Sequence, residues 1–198
     1  MLRTSAPLIG ALGVARTTGR LLGCTMFYVR PCEHPPLSLL RLCKAEGAYT
    51  DCYYLDIDRK VSLSEFVAAF YTTCPLKAER SILRLALGKP STDQDADQLG
   101  CGQIEAFAIW EVENRAPNQI LLKDFTGRTK SWLMVTSSEA ASGPTTRLLF
   151  GSAVVPKARA GSNLKRMGAG FHSLLWFHKL YSQILLASAK RKLNRQGR

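Results

Sequence analysis

Long hydrophobic runs are missing from this chain. Arg, Lys, Gly or polar residues break every apolar stretch before the roughly 20 residues a bilayer-spanning helix needs, which excludes a transmembrane protein. Paired metal ligands are missing as well. There is no C-x-x-C, and His34, His172 and His178 do not sit a few residues apart, so a structural zinc site is excluded. Gly168-Ala169-Gly170 follows no strand and lacks the third glycine of a dinucleotide-binding turn. Gly151-Ser152-Ala153 lacks the second glycine of a nucleophile elbow. Asp93, Asp95 and Asp97 alternate like calcium ligands, but Gln98 and Ile104 occupy the positions that need Gly and Glu. No metal or cofactor is therefore expected.

Acidic residues are absent before Glu33 and after residue 155. The 27 basic residues outnumber the 15 acidic ones, yet residues 61–155 are close to neutral, so the excess belongs to the two ends. The basic segment 157–198 suits nucleic acid or an anionic membrane surface. The preferred reading is a helix whose last turn, with Lys190, Arg191 and Lys192, complements the negative end of the dipole, followed by a solvated tail. Six cysteines at irregular spacing in a chain that is 46% apolar point to free thiols in a reducing compartment rather than to disulfide staples.

Residues 1–46 read as an extension. The expected compartment is the cytoplasm; the alternative is the mitochondrial matrix, if Arg3, Arg16, Arg20 and Arg30 among Ser, Thr, Ala and Leu form an organelle-targeting presequence. A secretory signal over 7–14 and a natural start at Met26 are the other two readings of this segment. Pro31, Pro35 and Pro36 mark a linker, residues 47–195 form the domain, and 196–198 form a basic tail.

Within the domain, the aromatic and β-branched run from Tyr49 to Ile57 predicts a strand. Ser62-Leu63-Ser64-Glu65 is a capping box, and Leu63, Phe66, Val67 and Phe70 follow at helical spacing. Pro75 opens a second helix that Gly88 closes. A polar loop is expected over 91–102. After it, Ile104, Ala106, Ala108, Trp110 and Val112 alternate as one face of a strand, and turns at 116–118, 126–128 and 142–144 continue it into an antiparallel meander of four strands. The last element is a helix over about 169–193, roughly 35 Å long, with Phe171, Leu174, Leu175, His178, Tyr181, Leu185, Ala189 and Leu193 on its buried stripe. The class is α+β, with the helices covering one face of the sheet.

Ala69-Phe70-Tyr71, Glu79-Arg80, Trp110, Arg115, Arg128-Thr129-Lys130-Ser131-Trp132, Phe150-Gly151-Ser152-Ala153, Phe177-His178, Tyr181-Ser182 and Leu185-Leu186 follow one another along the chain. With the element order, this pattern resembles an uncharacterised bacterial domain family of the START-like superfamily, which also holds polyketide cyclases and lipid-transfer domains. The resemblance covers about residues 48–193. It implies a helix-grip fold, a curved antiparallel sheet wrapped on the long C-terminal helix, with an apolar cavity between them for a lipid, sterol or polyketide-like molecule. The departure is in the sheet, where the superfamily usually has six strands between the second and last helices and this sequence shows four.

On that reading Ala106 and Ala108 leave space beside Trp110, His178 and Tyr181 point into the cavity, Trp132 either lines it or fills the core, and Arg115 and Lys130 hold a ligand's acidic group at its mouth. The expected function is binding or transfer of a small hydrophobic molecule. The alternatives are a cyclase or dehydratase using His178 and Tyr181 as acid and base, and an RNA- or ribosome-associated protein acting through the basic C-terminal segment.

Overall fold

The computed structural model describes residues 29–140, 143–155 and 169–197, with the backbone alone for 138–140 and 169–177. The readings of the leader region, of Met26, of Phe171, His172, Leu174 and Leu175, and of the basic residues 157–166 fall outside the described residues or their described side chains.

Side chains alternate across a strand, so each strand must bury one or both of its faces. In β2 (Tyr49–Ile57) one face is buried from Asp51 to Ile57, and the other at Cys52. Tyr53, Leu55 and Ile57 join the larger core, while Cys52 belongs to a second cluster on the other side. The sheet has seven strands in the order β1 (Arg30–Pro31), β2, β7 (Gly143–Val154), β6 (Thr129–Ala140), β5 (Gln119–Asp124), β4 (Trp110–Ala116), β3 (Ala106–Phe107), and all neighbours are antiparallel. The strand before the helices is thus hydrogen-bonded to the last strand of the meander.

One face is covered by α2 (Leu63–Tyr71) and α5 (Ala169–Gln196). The expected capping box is present: Ser62 Oγ accepts the Glu65 N–H at 3.2 Å, and Glu65 Oε2 accepts the Ser62 N–H at 2.8 Å. Phe66, Val67 and Phe70 of α2 meet Leu185, Leu186, Ala189 and Leu193 of α5 over Leu55, Ile120, Leu133, Leu148 and Phe150. Each such side chain contributes on the order of 1.5–3 kcal/mol when buried. The 28 residues of α5 span about 42 Å. Among the described residues, no helix is long and apolar enough to cross a membrane.

The opposite face is covered too, by α1 (Leu40–Ala45) and the segment before it. Residues 30–45, read as part of an extension, therefore belong to the packed fold: β1 pairs with β2, and Leu40 and Cys43 lie against Cys52, Trp132 and Ala153. Gly151 is where this layer comes closest, since a Cβ there would lie 2.8 Å from the Asp51 carbonyl oxygen and 2.8 Å from Leu40.

Two expectations are corrected. The stretch 104–112 is not one strand. The chain reverses at Ala108-Ile109, where Phe107 pairs with Trp110 and Ala108 adopts φ 54°, so β3 and β4 form a hairpin and the meander after the helices has five strands, not four. The polar segment 91–102 contains α4 (Asp93–Gly100). Its capping box uses aspartate at the third position, Thr92 Oγ1 accepting the Asp95 N–H and Asp95 Oδ2 accepting the Thr92 N–H, and Ala96 and Leu99 supply a narrow buried stripe. The second expected helix is α3 (Cys74–Leu87), ended by Gly88 in the left-handed region; Ile82, Leu85 and Leu87 on it are exposed.

Candidate functional site

Asp51 on β2 and Ser152 on β7 are directly opposite each other, and both face α5. The Asp51 side chain is 6% exposed. Its Oδ1 accepts two hydrogen bonds from Ser152, from the backbone N–H at 3.0 Å and from the hydroxyl at 2.6 Å. His178 on α5 reaches the same hydroxyl, with Nε2 2.6 Å from Ser152 Oγ. A hydroxyl has one proton to give. With that proton on the Asp51 carboxylate, Nε2 must itself be protonated and donate to Oγ. The order is Asp–Ser–His. In a hydrolytic triad the imidazole lies between acid and nucleophile and accepts the serine proton. Here the serine lies in the middle and its proton is committed to Asp51, so it is not set up for attack.

Among the described residues Asp51 Oδ2 has no hydrogen-bond partner, although it is buried, and His178 Nε2 lies 3.8 Å away. Leaving a buried carboxylate oxygen bare costs at least about 1–3 kcal/mol, so this atom marks a place where a donor is wanted. Its charge is felt nearby. Burial first, and then Asp51, push the Tyr49 hydroxyl up to about 12. The same two causes raise Tyr53.

The polar row continues across the sheet. Ser131 on β6 pairs with Ser152, and its hydroxyl lies 3.0 Å from the hydroxyl of Tyr71 at the end of α2. Burial holds the Tyr71 phenol well above its ordinary value. One turn beyond His178 on α5, Tyr181 points elsewhere: its hydroxyl donates to Glu79 Oε2 on α3 at 2.6 Å. Burial, and then this carboxylate, raise its pKa strongly. His178 and Tyr181, expected to act together, thus bond to different elements.

The other expected residues are dispersed. Trp132 is fully buried on the face away from α5, where its indole N–H donates to Gln119. It faces α1 because it is one residue from Ser131, and that odd step turns it to the other side of the sheet. Lys130 shares Trp132's parity and is taken up by Glu113 at 2.7 Å. Burial, the largest influence, lowers its pKa, but the Glu113 hydrogen bond together with the charges of Cys43 and Glu113 raises it overall. Arg115 donates to the Leu99 carbonyl at 2.7 Å and lines an open groove of about 530 Å³ with Ser62, Ser64 and Gly102. Trp110 packs half-buried against the core edge beside the β3–β4 hairpin. In the basic C-terminal turns, Lys190 donates to the Asp56 carbonyl at 2.6 Å, and Lys192 bonds Thr72.

Neither Asp51 nor Ser152 belongs to a recognisable site motif in the sequence. The available signal was an acid at a face position between Tyr49 and Tyr53, where alternation calls for an apolar side chain. No protein-family model, no curated protein and no solved structure matches the chain.

Proposed function

We propose that this protein binds a small hydrophobic molecule carrying a hydrogen-bond donor, with the donor held by Asp51 beside His178, between the sheet and α5. The observation that carries the reading is the bare Oδ2 of a carboxylate whose side chain is 6% exposed. A hydroxyl or ammonium group satisfies that oxygen, and a carboxylate ligand would be repelled by it. We read the architecture as the helix-grip arrangement of the START-like superfamily, supported by a strand, helices, an antiparallel meander and one long terminal helix in that order. Toward the C-terminal half of α5 the interior is filled by Leu185, Leu186, Ala189 and Leu193, and this reading puts the guest toward His178 instead.

Binding fits better than acid–base catalysis, because the Ser152 proton is committed to Asp51 and the Tyr181 phenol to Glu79. Two of the cations of the basic C-terminal segment, Lys190 and Lys192, bond protein oxygens, which weakens the reading of an RNA partner without accounting for the exposed Lys179 and Arg195.

The test is calorimetric titration with saturated amines, alcohols and carboxylates of one chain length, alongside native mass spectrometry of the protein from its own host. Amine or alcohol binding is expected, weakened about tenfold by Asp51→Asn, which corresponds to roughly 1.4 kcal/mol. Equal affinity for the carboxylate, or no binding of any of the three with no co-purifying molecule, overturns the reading.

A further inference from the structure

Where β1 runs into the N-terminal segment, Cys32 continues the β1–β2 register and lies opposite Cys52. The Cys32 N–H donates to the Cys52 carbonyl at 3.0 Å, so the two occupy a hydrogen-bonded position of the ladder. Such pairs hold their Cα atoms about 5.5 Å apart. A disulfide requires about 4.4–6.8 Å. The two Sγ atoms are 3.1 Å apart, both sulfurs are thiols, and Cys52 is buried while Cys32 is partly exposed. We propose that Cys32 and Cys52 are a reversible thiol–disulfide site, oxidised by a peroxide, that fastens the segment carrying α1 to the sheet.

The two sulfurs have separate roles. The hydrogen bond from Cys52 lowers the pKa of Cys32, with Arg147 adding to the effect and burial opposing it, whereas that contact and burial raise Cys52. Cys32 is the attacking sulfur and Cys52 the resolving one. In the first step the Cys32 sulfur attacks hydrogen peroxide: an S–O bond forms, the O–O bond breaks, and water leaves with the thiol proton. In the second the Cys52 sulfur attacks the sulfenic sulfur: the S–S bond forms, the S–O bond breaks, and the hydroxide leaves as water with the Cys52 proton. Two thiols lose two electrons in total and one peroxide becomes two waters. Oxidation ties β1 and the start of the α1 layer covalently to β2, the strand that also carries Asp51.

The full chain, reduced and freed of reductant, is treated with one equivalent of hydrogen peroxide, alkylated, and examined by intact mass and peptide mapping. The expected result is loss of two hydrogens, a Cys32–Cys52 linked peptide, and Cys74 and Cys101 recovered alkylated. In Cys52→Ser, dimedone is expected to trap a sulfenic acid at Cys32 in preference to Cys74, and backbone amides of residues 30–45 are expected to exchange more slowly in the oxidised wild type than in the reduced protein. Linkage of Cys32 to another cysteine overturns the proposal. So does oxidation of Cys74 or Cys101 with no Cys32–Cys52 peptide. The wild-type mapping decides the matter even if a serine variant fails to fold.

Discussion

Gln119 Oε1 accepts the indole N–H of Trp132 at 2.8 Å, on the face of the sheet turned away from α5. The same oxygen accepts the Leu39 N–H at 3.0 Å, and Gln119 Nε2 donates to the Leu37 carbonyl at 2.9 Å. One buried amide therefore fixes the approach to α1 and the largest fully buried ring together.

Gln119→Leu is close in volume and removes all three bonds, stranding the buried Trp132 N–H and the half-buried Leu39 N–H. The expected cost is about 2–4 kcal/mol, read as a lower urea midpoint at unchanged slope. A loss below about 0.5 kcal/mol would show that water reaches both donors.

This second layer explains much of what the sequence left hidden. The strand periods, the capping box at Ser62, the αL stop at Gly88 and the length of α5 rest on local signals, and these were readable. That Trp132 faces α1 was not, because the prolines at 31, 35 and 36 disguise a segment that packs, and a sheet read with one covered face gives Trp132 only one destination. The β3–β4 hairpin was hidden because its turn is Ala108-Ile109 rather than a glycine or asparagine pair, so alternation ran straight through it. Of the site, His178 was visible as a polar residue on an apolar stripe. Its partners lie on strands about 100 residues apart, and only the β2–β7 pairing brings Asp51 to Ser152. The pairs Tyr71–Ser131, Glu79–Tyr181 and Ser152–His178 join residues from the pattern that suggested the START-like resemblance.

The Asp51–Ser152–His178 chain makes a statement about protons. With Asp51 ionised, the protonated nitrogen of His178 that faces Ser152 is Nε2. Long-range ¹⁵N NMR of the neutral imidazole is expected to show the Nε2–H tautomer. In Asp51→Asn the amide oxygen keeps the Oδ1 position, because it must still accept the Ser152 N–H as well as the hydroxyl, and the Nε2–H tautomer is expected to persist. An Nδ1–H imidazole in the wild type would mean that Asp51 holds the proton instead.

Ala108 carries the backbone cost of its hairpin. At φ 54° an alanine is about 1–2 kcal/mol less comfortable than in the right-handed region, and glycine is not penalised there. Ala108→Gly is expected to raise stability by up to about 1 kcal/mol, the gain being cut by the greater freedom of glycine in the unfolded chain. Thermal unfolding measures it. Clear destabilisation would show that the Ala108 methyl, which packs on the core edge, matters more than the dihedral.

His34 sets the direction of a pH dependence. Its ring lies 6.4 Å from that of Trp132, and both ring nitrogens are buried with no hydrogen-bond partner among the described residues. Burial lowers its pKa below the ordinary 6.5, helped by Lys44 and Arg41 and opposed by Asp51. The folded state therefore holds the proton less tightly than the unfolded state, and the unfolded chain binds more protons as pH falls through about 6.5. His34's contribution is present in full above that value and is lost toward its lower folded pKa. Unfolding curves for wild type and His34→Leu between about pH 7.5 and about pH 5.5 separate this from the carboxylates, which titrate lower, and from His178, which both proteins retain. The wild-type stability minus that of the variant is expected to fall steadily across the window. A constant difference would mean that the ring accepts its proton in place, with water or Asp51 reaching it.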